Sequence, residues 1–184
     1  HNFQGAYAIT NHLISLGHRR IGSVVGEIHQ CNVRDRIAGY EGALKDADLK
    51  VYKELTIHID DLYDREKNER EIMKVLNSPL SPTAFVAVGY RFAIEVMSVL
   101  QSHGMNIPED ISIAGYDDPH SAGYLTPPLT TVRQPLEEMG SKAIEVLKDI
   151  INGKKSANIN LLPTELIIRE STAKCTSDRL GTRV

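Results

Sequence analysis

The sequence predicts an α/β fold built on a doubly wound parallel sheet. Short apolar runs at 21–25, 83–88 and 111–116 are typical of strands that are buried on both faces. Helix-like segments of about 12 residues lie between the predicted strands. Strands that alternate with helices in this way form parallel βαβ units, which stack into an open sheet with helices on both sides.

The predicted elements follow one another along the chain. A helix over 5–16 places Ile9, Leu13 and Leu16 on one face, and Gly17 is a typical residue for its end. A long segment after residue 116 shows neither the helical nor the strand periodicity of apolar residues, so it is expected to be a loop. The remaining predicted elements, in chain order, are strand 21–25, helix 34–48, strand 54–59, helix 62–76, strand 83–88, helix 90–103, strand 111–116, helix 135–153 and strand 166–168.

The composition favours a soluble globular protein of the cytoplasm. Of the 184 residues, 41% are hydrophobic and 24% are charged, and no apolar stretch reaches the length of a membrane helix. The net charge is −3, without a basic cluster, so these residues are not expected to bind DNA. Cys31 and Cys175 are expected to be free thiols, and no signal peptide is visible.

The residues just past each predicted strand are the candidates for ligand binding. In open parallel sheets, ligands bind beyond the carboxyl ends of the strands, here at 27–36, 60–63, 89–91 and 117–120. These segments supply an arginine, an aromatic ring, carboxylates and a histidine, a mixture that suits a polyhydroxylated small molecule. The candidates are Arg36, Tyr63, Asp117 and His120.

Each candidate has a simpler explanation when it is taken alone. Asp117 could cap the turn that follows it, and Arg36 could be a solvated helix arginine. Tyr63 could lie on a loop at the rim, and His120 could be an ordinary surface histidine. Their shared placement at strand ends is what favours a common site.

The sequence gives little support to an enzyme. It lacks the GxGxxG, GxxxxGK[ST] and GxSxG motifs, and its seven histidines show no metal-ligand spacing. We therefore predict no catalytic residue, no metal and no cofactor. An acid–base pair drawn from Asp60, Asp61, Asp117 and Asp118 leaves an α/β enzyme acting on a sugar as a remote alternative.

Several motifs carry a resemblance to a known family. They include HLISLGHRRIGSVVG at 12–26, RDRIAGYEGAL at 34–44, SPTAFVA at 81–87, IPEDISIAGYDDPHSAGYLTPPLTTVRQPLEEMG at 107–140 and LLPTELIIREST at 161–172. In this order the chain resembles the effector-binding core of the lactose-repressor (LacI/GalR) family of bacterial transcription regulators. That family shares the type 1 fold of periplasmic binding proteins, in which two α/β lobes close on a small ligand.

The resemblance implies a division of the chain. Residues 5–129 would form the carboxyl-side lobe, and 130–160 would be a crossover and a helix of a mostly absent second lobe. Residues 161–172 would return to the carboxyl-side lobe, and 173–184 would be a tail. A further lobe and a helix-turn-helix domain would precede His1. The apolar stripe of the helix at 135–153 would then face solvent, fold back or pack on another chain. This stripe consists of Leu136, Met139, Ala143, Leu147 and Ile150.

The resemblance also implies roles for particular residues. Arg36 matches an arginine that grips polar groups of the ligand, and Asp117 matches the ligand-binding aspartate of the family. Tyr63 matches an aromatic position that stacks on sugar rings, and Gln134 falls at a crossover near the cleft. Gly89 and Tyr90 stand where the family has Asn-Asp, so Tyr90 or Arg91 is expected to replace that polar contact.

The function implied by the resemblance is that of a ligand sensor in a dimeric repressor. A sugar or sugar derivative would bind between the lobes and control how a separate domain binds operator DNA. A solute-binding receptor of a sugar transporter is the alternative that shares the fold.

Overall fold

A computed structural model describes residues 1–26, 29–154 and 159–176. Its helices are α1 (Asn2–Ser15), α2 (Cys31–Asp46), α3 (Arg65–Leu76), α4 (Tyr90–Ser102) and α5 (Leu136–Ile151). Its strands are β1 (Ile21–Val25), β2 (Thr56–His58), β3 (Ala84–Ala87), β4 (Ser112–Tyr116), β5 (Thr130–Arg133) and β6 (Glu165–Ile167). Short 3₁₀ turns lie at Lys53–Leu55 and His120–Tyr124.

The strands form one sheet in the order β2-β1-β3-β4-β5-β6. Neighbouring strands from β2 to β5 are parallel, and β6 is antiparallel to β5. The predicted α/β fold with a mainly parallel sheet is therefore confirmed. The strand order reverses between β1 and β3, and such a switch point leaves a crevice at the carboxyl ends of the two strands.

Helices cover both faces of the central strands. On one face α1 and α2 contribute Ile9, Leu13 and Leu44, which are at most 1% exposed. On the other face α3 and α4 contribute a second cluster that includes Ile72 and Leu100. Each such side chain stabilises the fold by about 1.5–3 kcal/mol through burial, so the sheet is a firm base for the residues at its edge.

Local interactions explain where several elements begin and end. Helix α1 ends just before Gly17, whose φ of 92° lies in the left-handed region that glycine adopts without strain. Helix α3 begins at Arg65, later than the predicted 62, because the Asp64 carboxylate accepts a hydrogen bond from the Lys67 amide at 3.1 Å. Strand β2 is shorter than predicted because Lys53–Leu55 forms a 3₁₀ turn.

The prediction of a loop through 117–134 is wrong at its end, where β5 continues the sheet. Thr130 and Thr131 are fully buried and pair with Ala114 and Gly115 of β4. Four residues are too few to show a strand period, although the β-branched run Thr-Thr-Val favours a strand. The division at 5–129, 130–160, 161–172 and 173–184 stays a prediction, and its residues 155–158 and 177–184 lie outside the described part of the chain.

Helix α5 has no buried residue. Leu136, Ile144, Leu147 and Ile150 are between 52% and 68% exposed, although they form one apolar stripe. Of the three outcomes open to this stripe in the sequence analysis, the described structure has the first, because the stripe faces solvent. Every described helix is too short or too polar to cross a membrane.

Candidate functional site

Arg36 lies at the switch point between β1 and β3. Helix α2 follows β1 and carries Arg36 to the carboxyl edge of the sheet, where its side chain is 6% exposed. Its Nη1 donates to the Val88 carbonyl oxygen at 2.7 Å, and its Nε donates to Asn2 Oδ1 at 3.0 Å. These contacts contradict the alternative that Arg36 is a solvated helix residue.

Asp117 follows β4 and faces the same guanidinium. Its two carboxylate oxygens each lie 3.3 Å from a terminal nitrogen of Arg36, so the pair is bidentate. The side chain of Asp117 remains 40% exposed. A carboxylate has about four acceptor positions, so Asp117 can accept further hydrogen bonds from a bound molecule.

The ring of Tyr116 packs against the guanidinium group of Arg36. The guanidinium carbon lies 3.6 Å from the ring centroid, close enough for a cation–π interaction. Burial raises the pKa of the Tyr116 hydroxyl, which keeps the ring neutral under the arginine. The orientation of Arg36 is thus fixed on its buried side, independently of Asp117.

The backbone at Asp117 is held in an unusual conformation. Its φ is 70°, a left-handed value that aspartate and asparagine tolerate better than most residues. Thr131 Oγ1 donates to the Asp117 carbonyl oxygen at 2.8 Å, and Gln134 Nε2 donates to Asp117 Oδ1. Strand β5, which the sequence analysis missed, therefore helps to aim the carboxylate.

Phe92 and Gly89 shape the space beside Asp117. A Cβ atom added at Gly89 would lie 3.8 Å from Asp117 Oδ2 and 3.4 Å from the Phe92 ring. A Cβ atom at Gly26 would lie 2.3 Å from the same ring, so the missing side chain there makes room for it. The Phe92 ring and the Asp117 carboxylate thus both lie close to Gly89, whereas no contact places the predicted Tyr63 near this carboxylate among the described residues.

The other predicted residues are held by separate contacts. Tyr63 is 85% exposed, and the Arg91 guanidinium lies 5.8 Å from its ring centroid. Tyr90 donates its hydroxyl hydrogen to Ser121 Oγ at 2.8 Å, and the His120 ring packs at 5.1 Å from that of Tyr124. The structure therefore brings Arg36, Asp117 and Gln134 together, while ligand contacts of Tyr63, Tyr90 and His120 stay predictions. Two predicted positions of the first segment, Glu27 and Ile28, lie outside the described residues.

Residues whose roles depend on long-range contacts could not be predicted from the sequence. Asn2 holds Arg36 from 34 residues away, and Thr131 holds the Asp117 backbone. Phe92 could have been suspected, since it lies in the first turn of the helix that follows the third predicted strand. No local pattern distinguishes Asn2 or Thr131 from other polar residues.

Asp60, one of the four carboxylates from which an acid–base pair could be drawn, is paired with a lysine. Lys67 Nζ donates to Asp60 Oδ2 at 3.0 Å and holds the pKa of that carboxyl below its usual value, so Asp60 is a poor proton donor near neutral pH. Within the described ranges, no cluster of three or more His, Cys, Asp or Glu side chains could hold a metal ion.

Comparison with known proteins finds a matching family over most of the chain. The family model of the periplasmic binding protein-like domain matches residues 10–172. The HTH-type transcriptional repressor PurR of Haemophilus influenzae (strain ATCC 51907 / DSM 11121 / KW20 / Rd) is 34% identical over 176 residues, covering 93% of this chain and 52% of that protein.

Two solved structures match the fold closely. A LacI-family regulator from Enterococcus faecium with bound ribose has a TM-score of 0.82 and 31% identity, over 95% of this chain and 64% of that one. A regulatory protein of the LacI family from Chloroflexus aggregans has a TM-score of 0.83 and 31% identity, over 94% and 62%. The chain thus spans about half the length of the curated relative and less than two thirds of these structures. Because the family model matches nearly the whole chain, the chain belongs to the periplasmic binding protein-like domain family, in the form found in LacI-family regulators.

Proposed function

We propose that this chain is the larger part of the effector-binding region of a LacI-family transcription repressor. The single observation that carries the proposal is the half-exposed Asp117 carboxylate, held by Arg36 at the switch point of the sheet. The relatives are transcription regulators, which favours a regulator over a transporter receptor or an enzyme.

The geometry favours a ligand that is rich in hydroxyl groups. Asp117 offers acceptors only, so its partner must present O–H or N–H donors. Phe92 offers an apolar ring beside that carboxylate, which suits the C–H face of a sugar. Ribose in the related Enterococcus faecium structure is a molecule of this class.

In this proposal Arg36 contacts the ligand less directly than the resemblance implied. Its side chain is 6% exposed and already contacts Val88, Asn2 and Asp117. Its main contribution in this proposal is to hold the Asp117 carboxylate in one orientation through the bidentate contact. Gln134 adds an amide from the crossover that leads to α5.

The regulatory mechanism we infer is a shift between open and closed arrangements of two lobes. Helix α5 supports a second lobe, because its exposed apolar stripe is the kind of surface that another folded body covers. A ligand that touches both lobes favours the closed state by its difference in affinity for the two states. In this proposal a separate domain binds operator DNA, the protein is a homodimer and it acts in the cytoplasm.

A ligand-observed NMR screen of this chain tests the proposal. The panel contains D-ribose, other pentoses, hexoses and nucleosides, and we expect binding near the millimolar range because one lobe supplies only part of the contacts. Saturation transfer to one sugar class should be lost in Asp117→Asn, because charge-assisted hydrogen bonds of about 1.5–3 kcal/mol are removed.

Asparagine is the right replacement because it tolerates the φ of 70° at this position. Asp110→Asn is the matched control, since Asp110 lies just before the opposite end of β4. Equal binding by wild type and Asp117→Asn, or binding that falls equally in both variants, would refute this site.

A further inference from the structure

Asp118 differs sharply from its neighbour Asp117 in its surroundings. Its side chain is 3% exposed, whereas that of Asp117 is 40% exposed. Arg133 approaches Asp118 Oδ2 through Nη2 at 2.7 Å and Nε at 2.9 Å, and Arg169 Nη2 lies 2.8 Å from Oδ1. A buried carboxylate is tolerated only when it is paired, and here two guanidinium groups supply the pairing.

The two arginines lie at or just beyond the ends of the strands that lead to α5 and back from it. Arg133 is the last residue of β5, and Arg169 follows β6 by two positions. Arg169 is further tied to the start of β5, because its Nη1 donates to the Leu129 carbonyl oxygen at 2.6 Å. Asp118 therefore joins the end of β4 to both crossover strands at one point.

The same junction reaches the ligand-binding carboxylate through the next residue in the chain. Gln134 follows Arg133 directly, and its side-chain amide donates to Asp117 Oδ1. The position of Gln134 thus depends on where the end of β5 lies. Arg133 fixes that end through Asp118, since its other charged partner, Glu165, is 66% exposed and lies 3.4 Å away.

We propose that Asp118 is a positioning residue that acts through Arg133 and Arg169 to hold Gln134 against Asp117. The ligand subsite is then made jointly by the lobe, through Asp117, and by the crossover, through Gln134. Displacement of the crossover strands changes the surroundings of Asp117, and a molecule bound at Asp117 resists that displacement. The proposal rests on the function proposed above only for the statement that Asp117 binds ligand.

Hydrogen exchange on the unliganded chain tests the first half of the proposal. In Asp118→Asn, amide protection should fall selectively in β5 and β6, by roughly tenfold or more, while β1 and β3 keep their protection. Glu165→Gln is the matched control, because it removes a charge from the same arginine at the surface and should have little effect. Unchanged protection in β5 and β6, or a loss spread evenly over the sheet, would overturn the proposal.

The side-chain amide signal of Gln134 tests the second half. Asp117→Asn defines the chemical-shift change that follows when the acceptor of this amide loses its charge. Asp118→Asn should also move the Gln134 side-chain signal, although it leaves Asp117 intact, and Glu165→Gln should not. A Gln134 signal that stays at its wild-type position in Asp118→Asn means that Asp118 has a structural role only. Neither measurement uses a ligand, so a failed sugar screen would refute the proposed function and leave this test standing.

Discussion

Helices α4 and α5 have similar apolar stripes but very different surroundings. In α4 the residues Ala93, Val96 and Leu100 are fully buried against the sheet. In α5 the equivalent stripe, which includes Ile144 and Leu147, is more than half exposed. The difference shows that a helical pattern predicts which face is apolar, but not whether a partner for that face is present in the same lobe.

The largest expected effect of a single change contrasts leucines on the two helices. Leu100→Ala should lower the free energy of unfolding by about 3 kcal/mol, because it leaves a cavity in a packed core. Leu147→Ala should lower it by less than about 0.5 kcal/mol, because that side chain is 52% exposed. Urea unfolding followed by circular dichroism measures both, and equal losses would mean that α5 is packed in solution.

The next contrast compares a charged contact in each region. Arg36→Ala should cost about 2 kcal/mol, since the buried Val88 carbonyl oxygen and Asn2 lose their donor. Lys142→Ala removes an ion pair with Glu145 on the surface of α5 and should cost only about 0.3 kcal/mol. A cost for Arg36→Ala below that for Lys142→Ala in the same urea titration would show that Arg36 is not needed to hold the edge.

A smaller effect concerns the pH dependence of stability and the imidazole of His12, which lies on α1 in the packed part of the molecule. Burial lowers the pKa of His12 below its ordinary 6.5, so folding favours the neutral ring. Between the lowered pKa of the folded state and the ordinary pKa of the unfolded state, the unfolded state binds more protons. The contribution of His12 to stability is therefore complete above about pH 6.5 and is lost as the pH falls toward the folded-state pKa. Thermal unfolding between pH 8 and pH 5 should show this loss, and His12→Gln should reduce it.

Thr172→Val provides the control for His12. It removes the hydroxyl that lies 3.0 Å from His12 Nε2 but keeps a side chain of similar shape. The slope of stability against pH should persist in Thr172→Val, because burial and not this hydrogen bond lowers the pKa. A slope that is the same in wild type and His12→Gln would contradict the assignment.

The smallest change in stability is expected on the exposed stripe of α5. The double variant Ile144→Lys, Leu147→Lys should keep its helical signal and unfold within about 0.5 kcal/mol of wild type. It should also reduce self-association at high concentration, because it places charge in an exposed apolar patch. Sedimentation velocity checks this, and loss of the fold would mean that the stripe has a partner within the chain.

The regular part of the fold could be predicted from the sequence because its signals are local. The run at 21–25 is β1 with the same bounds, and the glycine-terminated helices ended where glycine indicated. Strand β5 was missed because four residues, two of them buried threonines, give no recognisable period. Its identity depends on pairing with β4, which the local sequence does not express.

Only the central pair of the candidate site, Arg36 and Asp117, could be predicted from the sequence. Arg36 and Asp117 were found because both follow strands and both match a family motif, and the structure places them in contact. The groups that hold them, such as Asn2 and Thr131, come from distant positions and were not visible. Asp118 precedes Pro119, a pair that is common in turns, and only the fold brings Arg133 and Arg169 to it.

The central claim is that the edge around Asp117 binds a hydroxyl-rich ligand, and a protein-observed NMR titration of this chain tests it most directly. With the strongest binder of the sugar panel, backbone amide shifts should move at Gly89, Asp117 and Gln134, and they should stay still in Asp117→Asn. Asp110→Asn should behave like wild type. Shifts confined to another surface, such as the hollow lined by Glu41, Lys45 and Lys50, would contradict the account.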